Sequence, residues 1–131
     1  MKAAYLDASA LVKLLRREAE TDALWDALSR WPVRVSSELL AVELRGTARR
    51  LGGAATLERA EAALATVDLV VLTEAIRDRA GATFTPALRT LDAIHVATAL
   101  ALREELAVVI AYDAVLCAAA SAEGLETLTP R

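Results

Sequence analysis

Apolar and polar positions along this chain switch between two spacings. Short apolar runs of strand length recur at Ala3–Leu6 (AAYL), Val33–Val35, Val67–Leu72 (VDLVVL) and Leu106–Tyr112 (LAVVIAY), and the β-branched content of VDLVVL favours a pleated, buried surface. Between them lie segments whose apolar residues fall three or four apart, the helical spacing. Asp22–Arg30 places Ala23, Leu24, Ala27 and Leu28 on one face before Pro32 breaks it. Asp7-Ala8-Ser9 offers capping side chains ahead of a helix over Ala10–Arg17. Ser36 and Ser37 stand ahead of one running to about Leu51, where Gly52-Gly53 stops it.

The second half repeats the alternation. Leu57–Ala65 predicts a helix, and Thr73 caps a short one that stops near Gly81. Ala82–Arg89, with Pro86, is the one loop of any length. Thr90 or Asp92 starts a helix over Ala93–Arg103, and Asp113 starts a last helix to about Glu123, stopped by Gly124. Glu126–Leu128 then predicts an edge strand. Strands alternating with helices imply parallel pairing, so the expected fold is α/β: three layers, α/β/α, around a central, mostly parallel sheet of 4–5 strands. No linker, repeat or low-complexity tract interrupts the pattern, which predicts one domain over residues 1–131.

Composition agrees with a packed core and narrows its texture. Hydrophobic residues form 56% of the chain but aromatic ones only 4%, and thirty positions are Ala; helices around small residues are favoured and disorder is not. A single cysteine, Cys117, excludes an intrachain disulfide and a cysteine-rich zinc site, and a single histidine, His95, excludes a multi-histidine one. No apolar stretch reaches the roughly 18 residues of a membrane span, and MKAAYLDAS lacks the apolar core of a signal peptide. The expected location is cytoplasmic. A net charge of −3 and pI near 5.2 do not announce a nucleic-acid binder.

Four acids stand out against this background: Asp7, Glu43, Asp92 and Asp113 each lie in or against an apolar segment. In open α/β sheets, ligands gather at the carboxyl ends of the strands. Asp7 follows the first strand, Asp113 follows the Leu106–Tyr112 strand, and Asp92 heads a helix, so all three are expected at that edge. Each of the three is also a good N-cap, a role worth about 1 kcal/mol. Glu43 lies three and four residues after Leu40 and Leu39, on their apolar face, where an ionised carboxylate needs a partner; the plain alternative is a boundary residue reaching water. If the acids converge, two carboxylates ~4 Å apart repel by about 4 kcal/mol at an effective dielectric near 20. Such a pocket protonates or takes cations, and an all-oxygen set suits Mg²⁺ or Mn²⁺ rather than zinc.

In order and spacing, YLDASALVKLL, SSELLAVELRGTARR, LDAIHVATAL and AYDAVLCAAASAEGL resemble the PIN-domain ribonucleases, and the chain's length is similar to the VapC-type toxins of type II toxin–antitoxin pairs. The resemblance covers nearly the whole chain from Tyr5 to Pro130, with little contribution from Leu51–Arg89. It implies that Asp7, Glu43, Asp92 and Asp113 form the catalytic, metal-binding set. They would coordinate Mg²⁺ or Mn²⁺ and direct a water at an RNA phosphodiester, leaving a 3′-hydroxyl and a 5′-phosphate. Asp7 and Asp92 are the firmest metal ligands, while Glu43 and Asp113 can act through water. Ser9 falls where the family often places a hydroxyl beside the metal. The resemblance further implies an RNA substrate, a small antitoxin partner, and a homodimer or toxin–antitoxin hetero-oligomer.

Other residues carry less. Lys13, Arg45 and Arg49 are candidates for an RNA path, against the plain alternative of solvated helix faces. His95, one turn after Asp92, reads as a hydrogen-bonded packing residue within reach of that acid. Cys117 reads as core, Glu38 as capping or solvated, and Trp25 and Trp31 as core anchors or a partner surface. Four further functions compete. Aspartyl-phosphate chemistry at Asp7 would favour a second acid two residues on, where Ser9 stands, and a receiver-type domain a late lysine, whereas only Lys2 and Lys13 exist. A solitary PIN-like nuclease without an antitoxin, or an inactive PIN module that binds RNA or protein, completes the set.

Overall fold

Five short runs pair into one parallel sheet in the computed structural model, which describes residues 1–82 and 84–131. The strands are β1 (Ala3–Leu6), β2 (Arg34–Ser37), β3 (Asp68–Val70), β4 (Leu106–Ile110) and β5 (Thr127–Leu128). Their order is β3-β2-β1-β4-β5, with every neighbouring pair parallel. The helices are α1 (Ala8–Val12), α2 (Thr21–Leu28), α3 (Leu39–Leu51), α4 (Ala54–Leu64), α5 (Glu74–Ala82), α6 (Thr90–Ala101) and α7 (Ala114–Ala122). The expected α/β architecture is therefore the observed one, with five strands.

The period of two along a strand decides which layer each residue serves. In β1, Ala4 and Leu6 pack with Leu11, Leu15, Leu24, Leu28, Leu40 and Leu44, the layer of α1 to α4. Ala3 and Tyr5 face the other way, with Val96, Leu100, Leu116 and Ala120 of α6 and α7. β4 divides likewise, Val108 and Ile110 against Val109. Both faces are covered, as a parallel sheet requires.

Several boundaries moved from their expected places. Ser36 and Ser37 both belong to β2, yet Ser37 Oγ still accepts Leu39 N–H at the head of α3 at 3.2 Å, while Ser36 Oγ donates to Leu6 O at 2.6 Å, stitching the ends of β1 and β2 together. α1 stops at Val12, and Leu14 and Leu15 continue in tight turns onto Leu11 O and Val12 O. The loop expected over 82–89 spans residue 83, outside the described residues. Gly124 ends α7 as expected, at φ 87°, a left-handed conformation that glycine adopts without a Cβ penalty.

The sheet grows outward from β1 in both directions, to β2 and β3 on one side and to β4 and β5 on the other. The connections leaving the carboxyl ends of β1 and β4 therefore diverge and open a crevice, the usual place for a ligand in this class of sheet.

Candidate active site

Asp7 and Asp113 come to that crevice through backbone register alone. Leu6 lies opposite Ile110, and Asp7 N–H donates to Ile110 O at 3.4 Å. Asp7 is one residue past β1, and Asp113 three past β4. Both also cap: Asp7 Oδ1 accepts from Ala10 N–H at 3.4 Å, and Asp113 Oδ1 accepts from Val115 N–H at 2.9 Å and Leu116 N–H at 3.0 Å. Asp92 is not a cap. It is the third residue of α6, whose capping position is held by Arg89 without a side-chain bond. Glu43 lies on α3 beside buried Leu40 and Leu44, and its side chain keeps only 16% exposure.

Glu43, Asp92 and Asp113 line one cleft of about 730 Å³, together with Ala87, Arg89, Thr90, Leu91 and Val115. Asp7 is more deeply placed, at 3% exposure. Ser9 bridges it to the β4 end: Ser9 Oγ donates to Asp7 Oδ1 at 2.6 Å and accepts Tyr112 N–H at 2.8 Å. Among the described residues, no cluster of three or more His, Cys, Asp or Glu side chains forms a ready-made ion cage.

The electrostatics show charge only partly compensated. Burial pushes the Asp7 carboxyl up to about 6, the Asp92 charge adds to this, and the Ser9 hydrogen bond, His95 and Ala10 N–H only partly offset it. Asp92 is also raised, first by burial and then by the Asp113 charge, with Glu43 contributing further. Its neighbours Arg89 and His95 pull the other way. Among the described residues, no hydrogen bond or ion pair engages the Asp92 carboxylate. Such a set of oxygens fits a hard divalent cation, which binds carboxylates directly or through retained water.

A PIN-domain family model matches residues 4–122. The chain belongs to the PIN-domain family. It is 40% identical over 130 residues to a Mycobacterium tuberculosis protein named ribonuclease VapC46, covering 99% of each chain. It is also 40% identical over 133 residues, 96% of each chain, to ribonuclease VapC35 of the same species. Among solved structures, a toxin–antitoxin complex from Klebsiella pneumoniae shares the fold at a TM-score of 0.75 and 23% identity, with 98% of each chain covered. The M. tuberculosis toxin VapC20, described as cleaving the sarcin-ricin loop, does so at 0.75 and 19%, covering 98% of this chain and 100% of that one.

In this PIN-domain chain the cations expected along an RNA path are mostly engaged elsewhere. Lys13 reaches Glu18 at 3.4 Å and Glu20 at 3.1 Å, with its ammonium 4.9 Å from the Tyr112 ring centroid. Arg45 makes a two-pronged bond to Glu61, 2.8 Å on each prong. Arg49 is exposed in the last turn of α3. None of the three lines the acidic cleft; Arg89 does, and it was missed because one arginine ahead of a helix carries no pattern. His95 was expected near Asp92, but its ring bonds Glu43 and Tyr5 instead. Two signals pointed there: a histidine in an apolar helix and a tyrosine in an aliphatic strand. Glu38 stands at the head of α3 without a side-chain cap, its carboxylate instead accepting Leu72 N–H, and Cys117 is half-buried with its Sγ near Ala111 O and Thr129. Trp25 is 50% exposed and Trp31 packs on the core.

Proposed function

We propose that this chain is a divalent-metal-dependent endoribonuclease and the toxin of a toxin–antitoxin pair. The observation that carries the proposal is one cleft, at the switch point of a PIN-domain sheet, lined by Glu43, Asp92 and Asp113 with Asp7 buried behind them. The 40% identity to proteins named VapC ribonucleases supports RNA as the substrate.

Asp7, Glu43, Asp92 and Asp113 are the residues assigned to hold Mg²⁺ or Mn²⁺. When bound, the cation supplies an activated water and offsets charge on the scissile phosphate, with a 3′-hydroxyl and a 5′-phosphate as products. The protein's contribution is placement. Ser9 fixes the Asp7 oxygen against the β4 end. The first turn of α7 occupies Asp113 Oδ1 and so orients that carboxylate. Asp92, with no hydrogen bond or ion pair among the described residues and crowded by the Asp113 and Glu43 charges, favours a bound cation. Arg89, at the rim, is placed to meet a phosphate oxygen. A short antitoxin fits the toxin assignment, and the groove formed by Leu14, Trp25, Ala62 and Ala63 is apolar surface suited to it; self-association belongs to the same proposal.

Purified protein, freed of any antitoxin, should cut RNA with Mg²⁺ or Mn²⁺ and stop on adding EDTA. Asp7→Asn and Asp92→Asn should abolish cutting. Cleavage that survives EDTA, or variants as fast as the parent, would remove the metal assignment. Growth arrest on expression, relieved by the same substitutions and by a co-expressed neighbouring partner, tests the toxin role.

A further inference from the structure

His95 is the only histidine in the chain and is 1% exposed on α6. Its Nε2 lies 2.6 Å from Glu43 Oε1, and its Nδ1 lies 2.7 Å from Tyr5 Oη. The two rings meet edge-on, centroids 5.8 Å apart at 79°. Tyr5 Oη in turn accepts the Ser37 N–H at 3.2 Å. The chain of contacts thus joins β2, β1, α6 and α3, linking helices from opposite faces of the sheet and ending at Glu43, which lines the cleft.

Donor and acceptor roles fix the Nε2 side of the ring. An ionised carboxylate only accepts, so Nε2 carries the hydrogen that faces Glu43. Nδ1 and Tyr5 Oη share the second bond, and the Tyr5 oxygen keeps a lone pair for Ser37 N–H. All four groups are satisfied at once, and no buried side-chain nitrogen or oxygen among the described residues lacks a partner.

Glu43 has reason to need this support. Its charge repels Asp92, and a long side chain beside a cleft has several rotamers in which to swing away. The His95 contact takes Oε1. Among the described residues no hydrogen bond takes Oε2.

We propose that His95 is a positioning residue for the acidic site. Its ring, seated against the Tyr5 hydroxyl, holds Glu43 through Nε2–H so that a single oxygen, Oε2, faces a divalent cation. The proposal rests on the metal-dependent reading above and deepens it. Outer partners that orient metal-binding carboxylates are worth about 10- to 100-fold in metal affinity.

The test compares Mn²⁺ affinity of the full chain, read by electron paramagnetic resonance of free Mn²⁺, for the parent and His95→Asn, His95→Gln and Tyr5→Phe. Glutamine carries an amide N–H near the reach of Nε2, whereas asparagine reaches only as far as Nδ1. His95→Asn should weaken Mn²⁺ about 10- to 100-fold, His95→Gln should recover most of that, and Tyr5→Phe should fall between them. Equal Mn²⁺ affinity in folded Asn and Gln variants would overturn the proposal. Because either variant can unfold a buried site, the metal-free parent supplies a second measurement. Long-range ¹H–¹⁵N spectra should show a hydrogen on His95 Nε2, and a ring protonated at Nδ1 alone refutes the proposal. If the parent binds Mn²⁺ and cuts RNA while both His95 variants match it, only the His95 assignment falls. If the parent neither binds Mn²⁺ nor cuts RNA, the metal-dependent reading falls and this one with it.

Discussion

Asp7→Asn separates stability from chemistry. The folded carboxyl titrates near 6 rather than 3.8, chiefly because it is buried. The folded chain therefore holds this proton more tightly than the unfolded chain. The sign follows: without metal, the Asp7 contribution is least favourable above pH ~6, and stability is regained as pH falls through about 6 toward about 4. A difference of about two pH units corresponds to about 3 kcal/mol at neutral pH and about 1 kcal/mol near pH 4.5. Asparagine removes the charge yet keeps an acceptor for the Ser9 hydroxyl and Ala10 N–H. Its new amide hydrogens, if left without partners, cost about 1–3 kcal/mol. The net effect near pH 7.5 is then between neutral and about 2 kcal/mol stabilising. The firmer quantity is the change with pH: relative to the parent, the variant should lose about 2 kcal/mol between about pH 7.5 and pH 4.5. Urea unfolding in EDTA at both pH values, followed by circular dichroism, measures it, since the other titrating groups are common to both proteins. A variant–parent difference that stays constant, or that favours the variant more in acid, would refute a buried ionised Asp7.

The same proton competes with a cation, so RNA cleavage with Mg²⁺ should decline below about pH 6 and recover with more metal; a flat profile from pH 5 to 8 would contradict this. Asp113→Ala should lose about 1 kcal/mol of stability with its cap, while Asp113→Asn keeps the cap and both lose cleavage; an active Asn variant would leave capping as the residue's whole role. Ser9→Ala strands Tyr112 N–H and should cost about 1–3 kcal/mol in thermal unfolding, with Ser9→Thr close to the parent. Leu44→Ala, beside Glu43 and fully buried, should cost about 2–5 kcal/mol on denaturation; a loss under 1 kcal/mol would mean that α3 is loosely seated.

Part of the site was legible because it depends on neighbours in sequence. Asp7 and Asp113 each follow an apolar run and precede a helix, and capping ties their orientation to residues two or three further on. Once two runs are read as adjacent parallel strands, their trailing acids must share an end. Asp92 was placed in the correct helix but not at its head, because Thr90 and Leu91 join the first turn and local propensity does not choose between adjacent starting points. Among the cations, Lys13 and Arg45 showed charge but not partners. Glu18 and Glu20 take one and Glu61 the other, and the Arg45–Glu61 pair joins two helices.

By itself the sequence determined the alternation of strands and helices, the layered α/β class, and the three acids delivered by strand ends and a helix start. These follow from hydrophobic period, breakers and caps, all local to a few residues. Only the tertiary structure decided what holds Glu43. Its partner His95 is 52 residues away, and that ring's other partner, Tyr5, is 90 residues from it. Such contacts depend on how helices from opposite layers close over the sheet, where a shift of an ångström makes or breaks a hydrogen bond. The periodicity of one segment contains no information about that distance.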